Sequence, residues 1–178
     1  MAVMKKTEIE LDHRFDPRTC RHTMNGQVSV LHCHHYATLY TQLAEDCGML
    51  DGRKLLTDVA EDAFREVLSS YYSTHGLDDV AQRIAIAEQY YAAAGLGKMR
   101  VLCAGPESCE VELLHSHVDA GWIKKWGKRD APVNYITSGY IAGMLAAIWE
   151  RPARSYSVVE TAGIVAGAER SKFSAAAN

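Results

Sequence analysis

The sequence predicts an α+β domain in which a helical N-terminal half packs with an antiparallel sheet made of two hairpins. Three observations predict it. From Tyr36 to Tyr91 apolar side chains recur at i+3 and i+4, the spacing of amphipathic helices. Beyond Gly97 the pattern changes to short alternating runs broken by Gly and Pro, the mark of strands and hairpins. One stretch of small and apolar side chains, residues 133–149, interrupts those strands and reads as a further helix.

Residues 1–30 read as a polar, irregular segment with Asp16-Pro17 and Asn25-Gly26 as turn signals. A short strand is expected over Gln27 to Leu31, where Val28 and Val30 alternate with polar neighbours. The first helix carries Tyr36, Leu39, Tyr40, Leu43 and Cys47 on one stripe, with Gly48 as its stop. Asp51 is the expected N-cap of a long second helix with the stripe Leu56, Val59, Ala60, Ala63, Phe64, Val67, Leu68 and Tyr71. His75-Gly76 ends it. Asp78 opens a third helix through Val80, Ile84, Ala87 and Tyr91, which Gly95 and Gly97 close. Met99, Val101 and Cys103 form a strand, Gly105-Pro106 turns, and Glu110 to His115 completes the first hairpin. A short helix over Asp119 to Trp126 leads to the helix of residues 133–149, which Pro152 ends. Tyr156, Val158 and Glu160 then share one face of a strand, and Gly163 and Gly167 bracket a turn into a last strand near Phe173. No repeat or linker divides the chain, so residues 1–178 are expected to form a single domain.

Composition narrows the function classes. A chain of 178 residues with 48% hydrophobic and 23% charged side chains has the balance of an ordinary globular protein. A net charge of −3, with no basic stripe, predicts no nucleic-acid partner. The start of the chain lacks the apolar run of a signal peptide, and no apolar run is long enough to span a bilayer. Five cysteines without a C-x-x-C pair fit free thiols in a reducing compartment, so the expected location is cytoplasmic and no membrane partner is expected.

The densest chemistry lies at His32-Cys33-His34-His35-Tyr36. Each of the first four side chains can ligate a transition metal, and imidazoles can also exchange protons near neutral pH. On a strand, His32 and His34 share one face and Cys33 and His35 the other; on a helix, His32 lies on the stripe of Tyr36, and His35 sits one turn from it. Either geometry converges only two ligands, so a metal at His32, Cys33, His34 and His35 needs help from afar. By residue type that help is His115, His117, Cys103, Cys109, Cys47 or the pair Cys20 and His22. The plainer reading gives the cluster to helix-start amides and to packing. Trp122, Trp126, Trp149, Tyr135 and Tyr140 can wall an aromatic pocket, although helix-spaced aromatics more often build core. The basic run Lys124, Lys125, Lys128 and Arg129 can hold an anion or simply face solvent.

The C-terminal third carries Pro132-Val133-Asn134-Tyr135, then Ser138-Gly139-Tyr140-Ile141-Ala142-Gly143, then Val158-Val159-Glu160-Thr161 and Gly167 to Phe173. These residues resemble the 4-vinyl reductase domain, a small-molecule-binding module that shares its fold with the small subunits of TRAPP vesicle-tethering complexes. The region of resemblance is 132–173. The resemblance implies a homodimer, a pocket between helices and sheet and, in phenol-sensing transcription regulators with this domain, a zinc held by a glutamate and two cysteines. Here Glu160 remains, but the cysteine positions correspond to Gly163 and Ser171, so the family's zinc is expected to be absent. The length leaves no room for an attached ATPase or DNA-binding segment, and a stand-alone ligand-binding domain is expected.

The leading expectation is therefore a protein that binds an aromatic or hydrocarbon-like small molecule, with His32, His35, Tyr36, Trp122 and Tyr140 as its contacts. A second is a metal- or His-dependent enzyme with His34 and His35 as the catalytic candidates. A third is an assembly subunit that contacts a protein partner in a larger complex.

Overall fold

The computed structural model describes residues 7–30 and 33–178. A three-stranded antiparallel meander, β1 (His13–Asp16), β2 (Arg21–Met24) and β3 (Gln27–Ser29), opens the fold. Three helices follow, α1 (His34–Asp46), α2 (Gly52–Thr74) and α3 (Val80–Ala93). Strands β4 (Gly97–Ala104) and β5 (Ser108–Ser116) precede α4 (His117–Trp126) and α5 (Tyr135–Ile148), and β6 (Tyr156–Ala162) and β7 (Ser171–Ala177) close the chain. Both hairpins join through β5 and β7 into one four-stranded antiparallel sheet of order β4-β5-β7-β6. The α+β class and the two-hairpin sheet expected from the sequence are those observed.

Helix α5 organises the core. Its side chains are apolar on every side, so it has no solvent face and is buried along almost its whole length. It crosses α2 backbone against backbone. A Cβ at Gly139 would lie 2.2 Å from the Thr57 carbonyl oxygen, and one at Gly143 would lie 2.6 Å from that of Glu61. Tyr91, Tyr140, Met144, Leu145 and Phe173 fill the space between helices and sheet. Two of the buried hydroxyls there are satisfied locally: Tyr140 donates to the Ala87 carbonyl at 2.6 Å, and Tyr91 pairs with Thr137 at 2.9 Å.

Local chemistry sets the boundaries. Asp51 caps α2 by accepting from the Lys54 amide at 3.0 Å, as its type predicts. Asp79 caps α3, one residue beyond the Asp78 expected. The main departure is the N-terminal segment. The strand expected from Gln27 is β3, its far end at Leu31 lying outside the described residues, but β1 and β2 form where irregular chain is expected, because their turns carry the signal and the strands do not. Asp16 accepts from the Arg18 amide and the Thr19 hydroxyl, both at 2.8 Å, while Asn25 and Gly26 both take positive φ in the β2–β3 turn. The strands HRFD and RHTM show no apolar alternation, and Met24 is the meander residue that packs on the core.

Candidate functional site

The meander, α1, α2 and α3 line a half-open cavity of about 470 Å³. Val28 and Val30 line it from the meander side, Ala37 and Tyr40 from α1, Phe64 and Val67 from α2, Ala93 from α3 and Ile136 from α5. Polar atoms enter from His13 and His22, Tyr90, His117 and Glu66, and among the described residues no Lys or Arg lines it. Burial pushes the Tyr90 phenol above its ordinary pKa, which keeps it protonated and able to donate. His13 Nε2 lies 3.1 Å from His22 Nδ1, with the rings stacked at 5.2 Å and Phe15 against His22 at 4.7 Å. That bond requires a hydrogen on one nitrogen and a lone pair on the other, so the pair holds together only while at least one ring is neutral. The volume and lining suit a small ligand with an apolar body and a few polar atoms.

The sequence-predicted residues fall in different places. His32 lies outside the described residues, and so does the side chain of His34, which opens α1. Cys33 is the α1 N-cap, exposed, with Sγ 3.8 Å from His35 Nδ1. His35 and Tyr36 are exposed on the first turn, and the Tyr36 ring leans toward Tyr40 at 6.3 Å. Among the described residues no three His, Cys, Asp or Glu side chains converge as a metal site. Of the distant helpers, His22 and His117 reach the cavity, while Cys20 lies at the β1–β2 turn and Cys47 caps the end of α1. Cys103 is exposed on β4, and burial pushes the Cys109 thiol up to about 12.

Trp122 and Tyr140 sit in the core rather than on the cavity wall. Trp122 packs with Ala37, Val118, Val133 and Val165 beneath the Arg129 guanidinium at 4.8 Å. Tyr140 lies behind Phe64 at 4.7 Å, so the rings that face the cavity are Tyr40, Phe64 and Tyr90. Arg129, from the basic run, is held by the Glu45 carboxylate at 2.7 and 2.8 Å, and Tyr135 donates to the same group at 2.8 Å. These contacts fasten α1 to the start of α5.

A second polar cluster lies at the position where the resemblance implies a zinc. Asp119, Asn134 and Ser171 are fully buried, and Glu160 is half-buried. Asn134 Nδ2 donates to Asp119 Oδ2 at 2.9 Å and to Glu160 Oε1 at 2.8 Å, and its Oδ1 accepts from Ser116 Oγ at 2.9 Å. Ser171 Oγ donates to Asp119 Oδ2 at 2.9 Å and accepts from the Ile164 amide at 2.9 Å. The Val165 amide donates to Asp119 Oδ1 at 3.0 Å. Burial, with Asp119 nearby, pushes the Glu160 carboxyl up to about 7 against the donation from Asn134. These residues do not fit a zinc. Gly163 brings no ligand atom, the Ser171 oxygen is committed as donor and acceptor, and Asn134 aims N–H hydrogens at both carboxylates. Periodicity gave no hint of this cluster; Asn134 and Glu160 stand within the motif region, but Asp119 and Ser116 carry no signal beyond helix-start residue types.

No family model matches the chain, and no curated protein matches it in sequence. Its structure is similar to the phenol-responsive sensory domain of the transcription activator PoxR, solved with phenol, at a TM-score of 0.73 and 16% identity over 93% of this chain and 84% of that one. It is also similar to a trafficking protein particle complex subunit 3 from Naegleria fowleri, covalently bound to palmitic acid. That match has a TM-score of 0.51 and 14% identity over 80% of this chain and 90% of the other. At such identities the likeness is one of fold, and the fold is the one the C-terminal resemblance implied.

Proposed function

We propose that the chain binds a small, largely apolar molecule, aromatic or hydrocarbon-like, in the cavity beneath the meander. The observation that carries this reading is the cavity itself, about 470 Å³, walled by aliphatic side chains and tipped by Tyr and His. The fold supports it, since a domain of the same architecture was solved with phenol. The lining selects a ligand class. With no Lys or Arg among the described lining residues, a carboxylate or phosphate would be buried without a fixed cation, which is costly. A neutral ligand with one hydroxyl can instead exchange a hydrogen bond with Tyr90, His22 or His13.

The test is thermal denaturation of the full chain with phenol, cresols, naphthols and benzoate, paired with native mass spectrometry of freshly purified protein. Binding at a hundredfold excess over Kd stabilises the folded state by about 2.7 kcal/mol, which a thermal scan resolves. The neutral phenols are expected to raise the Tm and benzoate to leave it unchanged. Ala93→Trp, which fills the cavity from α3, abolishes the shift. No shift with any member of the panel, together with no retained molecule, sinks the reading.

The same reading includes a homodimer. Tyr36, Leu39 and Leu43 on α1, Leu55 and Val59 on α2 and Met49 and Leu50 between them are all large, apolar and exposed. A patch of that kind on two successive helices is the usual mark of an interface.

A further inference from the structure

The cluster around Asn134 is best understood by asking what each atom does. Asp119 accepts three hydrogen bonds, from Asn134, Ser171 and the Val165 amide. Glu160 accepts from the Asn134 side chain, and more distantly from the Asn134 amide at 3.4 Å. Both hydrogens of the Asn134 amide group are therefore spent on carboxylates, one on each. That nitrogen stands between two acidic groups, in the place a cation takes in a carboxylate-bridged site. It is also why Asn134, though the N-cap of α5, makes no side-chain cap bond to its own helix. A Cβ at Gly163 would come within 3.1 Å of Glu160 Oε1, so a side chain there would crowd the same carboxylate. The bonds join α4, the start of α5, the end of β6, the turn at residues 164–166 and the start of β7.

We propose that Asn134 stands in for a cation: with Asp119, Glu160 and Ser171 it forms a metal-independent staple that holds the α4–α5 corner on the β6–β7 hairpin, where the resemblance implies a zinc. The staple works because both hydrogens of the Asn134 amide group and the Ser171 hydroxyl meet carboxylate oxygens, and a well-matched buried network is rigid where a half-matched one is not. Three donors meet the Asp119 carboxyl, so the network closes without a cation.

The experiment is thermal denaturation of the full chain with and without EDTA and a picolylamine chelator, alongside elemental analysis of the purified protein. The wild type is expected to keep its Tm in chelator and to carry no stoichiometric metal. Asn134→Leu removes both N–H groups at similar volume and is expected to lower the Tm by roughly 10 °C, with no recovery on adding zinc. Ser171→Ala, a milder loss that is expected to fold, lowers it by a few degrees, again without a metal effect. Asn134→Asp keeps the shape but turns the two donors into lone pairs, so its Tm is expected to fall in chelator and to recover on adding manganese or zinc. A wild type with one tightly held metal per chain, whose removal lowers the Tm, would overturn the proposal. So would an Asn134→Leu or Asn134→Asp variant as stable as wild type in chelator.

Discussion

Glu160 shows how much one residue's setting decides. Its carboxyl is pushed up to about 7, chiefly by burial, whereas an unfolded chain releases that proton near the ordinary value of 4.5. Between those values the folded chain binds more protons than the unfolded one, so stability falls as pH rises. The contribution is fully present below about pH 4.5 and is lost as pH passes through 7, and its ceiling is about 3 kcal/mol. Glu160→Gln carries no titrating proton. Urea unfolding of wild type and Glu160→Gln from pH 5 to pH 8 is expected to show a decline in the former that is absent from the latter. Parallel profiles would show that Glu160 does not titrate in this range. Motif spelling alone makes Glu160 a leftover metal ligand. The neighbours Asn134 and Asp119, brought from α5 and α4, turn it into a proton-holding hydrogen-bond acceptor.

Among the elements, α5 is the most constrained. Its contact with α2 leaves no room for a methyl group at Gly139, where the obstacle is the Thr57 carbonyl, part of a helix backbone that cannot rotate aside. Gly139→Ala therefore forces α2 and α5 apart, and its expected cost is about 1–3 kcal/mol or more in chemical denaturation. Gly48→Ala serves as the control, since nothing lies within 4 Å of a Cβ there and its φ is not positive. Equal stability of the two variants would remove the close helix crossing. The α2–α5 contact was half legible: the spacing of Gly139 and Gly143 announces a close approach on one helix face, yet nothing in it says which neighbour comes close. The meander was less legible still. Its turns at Asp16 and Asn25-Gly26 were readable, but strands with charged and polar side chains on both faces leave no period-two signal.

On the scale of the whole molecule the exposed apolar strip of α1 and α2 predicts self-association. Sedimentation equilibrium is expected to give a dimer for the wild type and a monomer for the pair Leu43→Glu and Leu55→Glu, two exposed positions whose change leaves the core untouched. A wild-type monomer at all concentrations would leave the strip without a second copy to cover it. Dimer dissociation and ligand binding are separable, because the cavity residues Phe64, Tyr90 and Ile136 are not among the exposed apolar side chains of the strip.

What the sequence by itself determined is the order and type of elements from α1 to β7, since helix stripes, caps and hairpin turns are short-range patterns written in neighbouring residues. What only the tertiary structure decided is which residues meet. The cavity draws on His13, Tyr40, Phe64, Tyr90 and Ile136, separated by up to 123 positions, and the staple draws on Asp119, Asn134, Glu160 and Ser171 from four elements. Trp122 and Tyr140 read as pocket walls but serve the core, because helix spacing fixes which side chains share a face and not what that face is pressed against. Convergence of that kind depends on long-range packing, which no local pattern encodes.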